Sequence, residues 1–307
     1  MTESIRKTLL YFQPIRTYWN LTAEKKEKIQ GQGLISFYPQ SILPRIEQGH
    51  YKYFDKNGIP CFPNNKGIIV HHYTTLCSFA LGMWEKYIET GQEEPKQKFL
   101  DIAEFLLKSS VTIADHINFL DFEDESESFG MPCAMNQGEA ISVLVRAHSL
   151  TKRSEFLECA YKASKAFEVS LENGGVVGQT RNSNPWYLEA GKQILNGHCY
   201  ATIGLFELYK YDGNSEVKKL FEQGVKSIES EIELFDTGFW SYYWLDTPRY
   251  IASIMYHNLH IIQLEFLGKV TNNVSILNFS KKLEKYGRSP INRIRSVITL
   301  IIHKIRK

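Results

Sequence analysis

The chain reads as a mainly α protein folded as an incomplete α/α toroid of about four helical hairpins, with a short irregular or β N-terminal segment and β-hairpin loops rimming a pocket. Three observations lead there. Four strongly apolar stretches, near Gly67, Met135, Ile194 and Ile254, each open on a polar cluster: His71-His72-Tyr73, Asn136-Gln137-Gly138, Asn196-Gly197-His198 and Tyr256-His257-Asn258. The clusters recur about every 60 to 65 residues, a spacing that signals stacked structural units. An amphipathic stretch follows each apolar one: PKQKFLDIAEFLLKSS, SEFLECAYKASKAFEVSLE, SEVKKLFEQGVKSIESEI and SILNFSKKLEKY. A helix apolar all round is buried and one with a single apolar stripe lies outside it, so the alternation predicts an inner ring screened by an outer ring.

Taken in order, residues 1–65 are rich in Gly, Pro and aromatics and form a lead-in of short extended patterns, with Asp55 to Gly58 (DKNG) as a hairpin turn between YKYF and IPCF. Residues 66–285 carry the four hairpins and form the toroid domain. Inner helices of such a ring run parallel, so their first turns meet at one end and line a common pocket. The connections entering those turns, 121–132, 174–193 and 236–249, then form its rim; the second opens on a β pattern (GGVVGQ) and is too long and aromatic for a simple turn. Residues 286–307 form a basic tail. Over 281–307 there are nine Lys or Arg against one Glu, while 121–127 (DFEDESE) is acidic. The tail fits either a last helix packing on the body with a solvated basic face or a peripheral contact with an anionic membrane surface.

Composition excludes several classes. With 43% apolar and 23% charged residues the chain is globular, and it shows neither a signal-peptide pattern nor an apolar run of about 18 residues. Five cysteines, odd in number and mostly within apolar helices, read as reduced thiols, which suits a cytoplasmic protein. There is no Gly-rich phosphate loop, nucleotide motif or serine elbow, no nucleic-acid partner is expected, and no cofactor. His257 and His260 share a helix face, but no third ligand is identifiable, so no metal site is expected. A homodimer is an open expectation.

The candidate pocket groups are Tyr73, Tyr187, Tyr243 and Tyr256, His71, His72, His198, His257 and His260, Glu189, Gln137, Asn136, Asn196, Arg181 and Arg249, with Trp240 as a stacking ring. Such a set suits an anionic sugar, whose faces stack on aromatic rings while its carboxylate meets Arg or His. Paired acidic residues in pocket positions are missing, which disfavours a two-carboxylate glycosidase. Tyrosine with glutamate points to proton transfer at a carbon α to a carboxylate.

Three blocks then carry a resemblance. MPCAMNQGEAISVLVRAHSLT, PWYLEAGKQILNGHCYATIGLFELY, and DTGFWSYYWL followed by YHNLHIIQL resemble, in this order, the C-terminal catalytic domain of the heparosan-type D-glucuronyl C5-epimerases over about residues 65–270. Eukaryotic members carry a long additional N-terminal β region. The resemblance implies the same helical toroid, a uronate-containing polysaccharide or oligosaccharide as partner, and inversion at C5 by two acid/base groups. Carried over by motif, these are Tyr256 and Glu189, with Tyr243 supporting and Tyr73 as a further pocket tyrosine. His257, His260 or an arginine would lower the Tyr256 phenol, and Arg249 or Arg181 would hold the substrate carboxylate; His72, Gln137, Tyr187, Asn196 and Trp240 complete the binding set. The chain departs from the family at Leu188-Glu189-Ala190-Gly191, where Glu-Glu-Tyr-Pro is typical, and in a shorter loop between Tyr243 and Tyr256. A polysaccharide lyase that abstracts H5 and a non-catalytic uronate-binding relative are the alternatives.

Overall fold

A computed structural model describes residues 37–305, apart from 65, 66, 68, 122–129 and 181, together with Leu21 and Lys25. The lead-in holds a short helix, α1 (Leu43–Glu47), and three antiparallel strands, β1 (Tyr53–Phe54), β2 (Pro60–Pro63) and β3 (Ile69–Val70). The expected hairpin turn is present between β1 and β2. Asp55 Oδ1 accepts the Asn57 and Ile59 amides at 2.8 and 2.9 Å, and Gly58 takes the left-handed conformation.

Four helical hairpins follow: α2 (Tyr73–Thr90) with α3 (Glu93–Ser109), α4 (Ala134–Thr151) with α5 (Ser154–Ser164), α6 (Leu195–Asp212) with α7 (Ser215–Glu231), and α8 (Ile254–Val270) with α9 (Val274–Arg288). The even-numbered helices form the inner arc, packed in sequence α2, α4, α6, α8. Their all-round apolar character shows as burial: α4 is buried without a break from Asn136 to Ala147 and α6 from Leu195 to Leu205. The outer α7 instead buries a stripe, Val217, Leu220, Phe221, Gly224, Val225 and Ile228, at helical spacing. The expected incomplete toroid is thus observed.

Two features set the geometry of the inner arc. At Gly138 and Gly204, helices α4 and α6 meet backbone to backbone; a Cβ on Gly138 would strike the Tyr200 carbonyl, and one on Gly204 the Gly138 carbonyl. Farther along, Arg146 donates to both Glu207 oxygens at 2.7 Å and to the Ser142 carbonyl at 2.8 Å in full burial, joining the same two helices. Residues 37–42 run along the inner face of the arc. Tyr38 lies 5.5 Å from the Arg146 guanidinium, Gln40 accepts from the Tyr200 hydroxyl, and Ser41 donates to Glu85 of α2. One core therefore extends from Tyr38 to Leu283.

Three β hairpins lead into α4, α6 and α8: β4 (Val111–Ile113) with β5 (His116–Asn118), β6 (Val177–Gln179) with β7 (Pro185–Tyr187), and β8 (Tyr242–Trp244) with β9 (Tyr250–Ile251). A last helix, α10 (Pro290–Ile305), packs on β9 and α9. The five cysteines are buried and unpaired.

Candidate active site

Glu189 follows β7 and begins a tight turn. It exchanges both backbone hydrogen bonds with Lys192, and the two residues between, Ala190 (φ 46°) and Gly191 (φ 76°), are both left-handed, the geometry that matches hairpin twist. A non-glycine residue at that φ is strained, by about 1 kcal/mol or more. The turn aims the Glu189 side chain at the first turn of α6, where Gly197 leaves room; any Cβ there would collide with Glu189 Oε2. That oxygen finds no hydrogen-bond partner among the described residues. Burial, reinforced by the Asp121 charge and opposed by Lys192, pushes the carboxyl up to about 7.

Tyr256 enters from the first turn of α8, whose N-cap Ser253 Oγ accepts the Tyr256 amide at 3.4 Å. Tyr243 enters from β8, and the two rings lie 4.6 Å apart between centroids. The phenols are hydrogen-bonded, the Tyr243 hydroxyl donating to the Tyr256 oxygen. Burial raises both phenols, and the Glu189 charge adds to the rise in each. For Tyr256 alone, the Tyr243 donor and the Arg45 charge act the other way, favouring the phenolate. A carboxyl near neutrality and a paired phenol with one stabilised oxygen thus share one mouth of the helical arc. Chemically, such a set can take a proton from one group and return it from another.

Comparison with known proteins shows the family of the chain. The family model described as "D-glucuronyl C5-epimerase C-terminus" matches residues 116–285, more than half of the chain. The chain belongs to that family. Within the epimerase family and its surroundings, the D-glucuronyl C5-epimerase of Caenorhabditis elegans is 33% identical over 162 residues, which span 46% of this chain and 26% of that protein. An uncharacterized protein of Methanocaldococcus jannaschii, MJ1128, is 26% identical over 269 residues, 75% of this chain and 86% of that protein. Among solved structures, the unsaturated glucuronyl hydrolase of Bacillus sp. GL1, described as responsible for the degradation of glycosaminoglycan, superposes with a TM-score of 0.51 at 15% identity, covering 70% of this chain and 60% of that one. At that identity the likeness concerns the fold alone. The chain thus spans about a quarter of the curated epimerase and about three fifths of the hydrolase.

Several residues expected at the substrate are placed elsewhere in this epimerase-family domain. Tyr187 is fully buried, stacked on His198, and donates to the Leu220 carbonyl at 2.7 Å. Tyr73 donates to the Ser109 carbonyl at 2.9 Å, and Trp240 Nε1 to the Ala252 carbonyl at 2.9 Å. Gln137 bridges the Ile117 carbonyl and the Phe119 amide, fixing β5 to α4. His198 accepts the Tyr187 amide on Nδ1 and donates from Nε2 to the Gly224 carbonyl; burial lowers it to about 4.

The two histidines of α8 correct a second expectation. His257 stacks on Trp240 with centroids 3.7 Å apart, and its ring nitrogens meet Ser241 Oγ at 2.8 Å and the Leu283 carbonyl at 3.0 Å. His260 Nδ1 meets the same Ser241 Oγ at 3.0 Å. Both are fully buried, and burial holds His257 at about 3 and His260 well below its ordinary value. They are neutral ties between the β8–β9 hairpin and the helices, so neither is the cation that lowers Tyr256. Arg249 lies over the Tyr242 ring at 5.4 Å, and the β8–β9 register shifts between Tyr242 and Trp244. Arg181 lies outside the described residues, as does the acidic run beyond Asp121.

Two site residues escaped the sequence. Asp121 accepts the Tyr73 amide at 2.7 Å and the Asn136 side chain at 3.1 Å, lies 3.3 Å from His72 Nδ1, and bears electrostatically on Glu189. A carboxylate neighbour of Glu189 therefore exists after all; its traces in the sequence were its place at the head of the acidic run and of the 121–132 rim connection. Arg45, on α1 of the lead-in, carries the positive charge felt by Tyr256 and by buried Glu139. Nothing in the sequence ties it to residues more than 200 positions later. Asn196, in the first turn of α6, donates to Met135 Sδ at 3.9 Å, while its Oδ1 is buried without a hydrogen-bond partner among the described residues.

Proposed function

We propose that this domain is a uronate C5-epimerase that interconverts D-glucuronate and L-iduronate residues in a polysaccharide or a lipid-linked oligosaccharide. Inversion at C5 requires the proton α to the C6 carboxylate to leave from one face and a proton to arrive on the other, so two groups must flank the ring. Glu189 and the Tyr256 phenol are that pair. The carrying observation is the Glu189 carboxyl, pushed to about 7 beside the hydrogen-bonded Tyr243–Tyr256 pair. A group poised near the working pH serves equally as acid and base, which a reversible inversion needs.

In one direction Glu189 takes H5, the electron pair moves into the C6 carboxylate to give a planar enediolate, and Tyr256 delivers a proton from the opposite face. The reverse reaction exchanges the roles, with the Tyr256 phenolate stabilised by the Tyr243 hydroxyl. Arg45 is a cation placed to offset charge that builds on the substrate carboxylate, the electrostatic part of the catalysis. Family membership supports epimerisation over other fates of the enediolate. Incubation of the protein with uronate polymers in deuterated water tests the assignment: deuterium is expected at C5, in both epimers, with chain length unchanged. Unsaturated chain ends would move the reading to β-elimination, and tight binding with no exchange to a non-catalytic relative.

A further inference from the structure

The last helix has two opposed faces. On one, Ser296 is fully buried and Val297 and Leu300 pack against a small satellite core of Trp240, Ile251 and Ile254. On the other lie Ile291, Ile294, Ile298, Ile301 and Ile302, exposed by 71, 46, 51, 50 and 41%. Their spacing places all five on one stripe centred opposite Ser296. Nearly half of the large apolar side chains exposed among the described residues sit on these three turns. Contiguous apolar surface of this kind marks an interaction site.

Charge selects the partner. Residues 285–307 hold Lys285, Arg288, Arg293, Arg295, Lys304, Arg306 and Lys307 and no acidic residue. Arg295 flanks the stripe, its guanidinium 4.1 Å over the Phe239 ring, and Arg288 is exposed just before the helix. Two copies packed stripe to stripe would align these like charges with no acidic residue of the segment between them. An isoleucine stripe bordered by cations suits a surface that is apolar within and negative at its edge. With 16 residues the helix is about 24 Å long, and no described helix is long and apolar enough to cross a membrane, so the contact such a helix could make with lipid is interfacial.

We infer that α10 seats the protein on an anionic lipid surface, with its isoleucine stripe at the acyl boundary and Arg295 at the headgroups. Through the satellite core, α10 packs on the β8–β9 hairpin that carries Tyr243 and leads into Tyr256, so docking holds the candidate site close to that surface. A lipid-anchored sugar chain would then be presented where it is processed. This consequence, though not the docking itself, rests on the epimerase reading.

The test compares the full chain with the triple variant Ile294→Ser, Ile298→Ser, Ile301→Ser in sedimentation with phosphatidylcholine vesicles, with and without phosphatidylglycerol. The wild-type protein is expected to sediment with the anionic vesicles and far less with the neutral ones. The triple variant should bind at least about tenfold more weakly with its melting temperature unchanged. As an independent readout, a fluorophore on Ile298→Cys should shift to the blue on anionic vesicles; the five native cysteines are buried. Wild-type protein left in the supernatant would overturn the proposal. So would a wild-type dimer that the triple variant dissociates, since a second copy would then cover the stripe. A marked fall in the variant's melting temperature would overturn it too, because the stripe would be packed by the chain itself.

Discussion

Replacing Glu189 by glutamine tests the site through stability as well as rate. The carboxyl rises from its ordinary 4.5 to about 7 on folding, so between those values the folded state holds the proton more firmly than the unfolded one. Stability contributed by the protonated group is therefore complete below about pH 4.5 and is lost as pH rises towards 7. At about 1.4 kcal/mol per unit, the full loss is about 3 kcal/mol, and the group is buried enough that solvent screening does not erode it. Glutamine keeps the shape and removes the titration. In urea unfolding, the variant should match the wild type near pH 4.5 and exceed it by about 3 kcal/mol near pH 8, while epimerase turnover is lost. The same residue would thus limit stability and carry catalysis, a common trade at active sites. Stability curves of the two proteins that run parallel from pH 4.5 to 8 would show that the carboxyl is not held near 7, and the acid/base role argued from it would fall.

Further outcomes follow from the same geometry. Tyr256→Phe should cut turnover by at least about 100-fold while costing only about 0.5 to 1.5 kcal/mol of stability, as steady-state kinetics and urea melts will report. Tyr243→Phe removes the donor that favours the Tyr256 phenolate, so turnover should persist with the phenolate-dependent limb of the pH–rate profile moved to higher pH. Gly197→Ala improves helix propensity by up to about 1 kcal/mol yet drives a Cβ into Glu189; lost turnover together with a weakened pH dependence of stability is the expected signature. Arg146→Met strands buried Glu207 and should cost about 3 to 5 kcal/mol, most of it restored by adding Glu207→Leu, with activity retained in the double variant.

Hydropathy alone was enough to specify the helical architecture. Apolar runs such as 195–205 can be satisfied only by burial on all sides, and stripes such as Val217 to Ile228 only by burial on one, so periodicity dictates which helices are inner and which outer. That Gly138 and Gly204 bring two backbones into contact was not legible there. Glu189, Tyr243 and Tyr256 were singled out by the motifs that carry the family resemblance; Tyr243 lies in a rim hairpin, Glu189 just after one, and Tyr256 in the first turn of an inner helix.

Which polar groups are tied up within the fold was a matter for the tertiary structure. Tyr73, Tyr187, Gln137, Trp240 and the histidines 198, 257 and 260 have the same composition signature as site residues, but each finds a carbonyl, amide or hydroxyl partner across the fold and is spent on joining elements. A side chain's hydrogen-bond partner depends on packing between segments far apart in the chain, and one sequence carries no record of it. The same holds for charge. The Arg45 charge bears on Tyr256, and that of Asp121 on Glu189, because folding lays residues 37–47 against the inner arc and ties Asp121 to the first turns of α2 and α4. The Glu189 carboxyl itself is ordinary in the unfolded chain; burial against Gly197 and the nearness of Asp121 raise it to about 7, and desolvation is a property that only a packed interior creates.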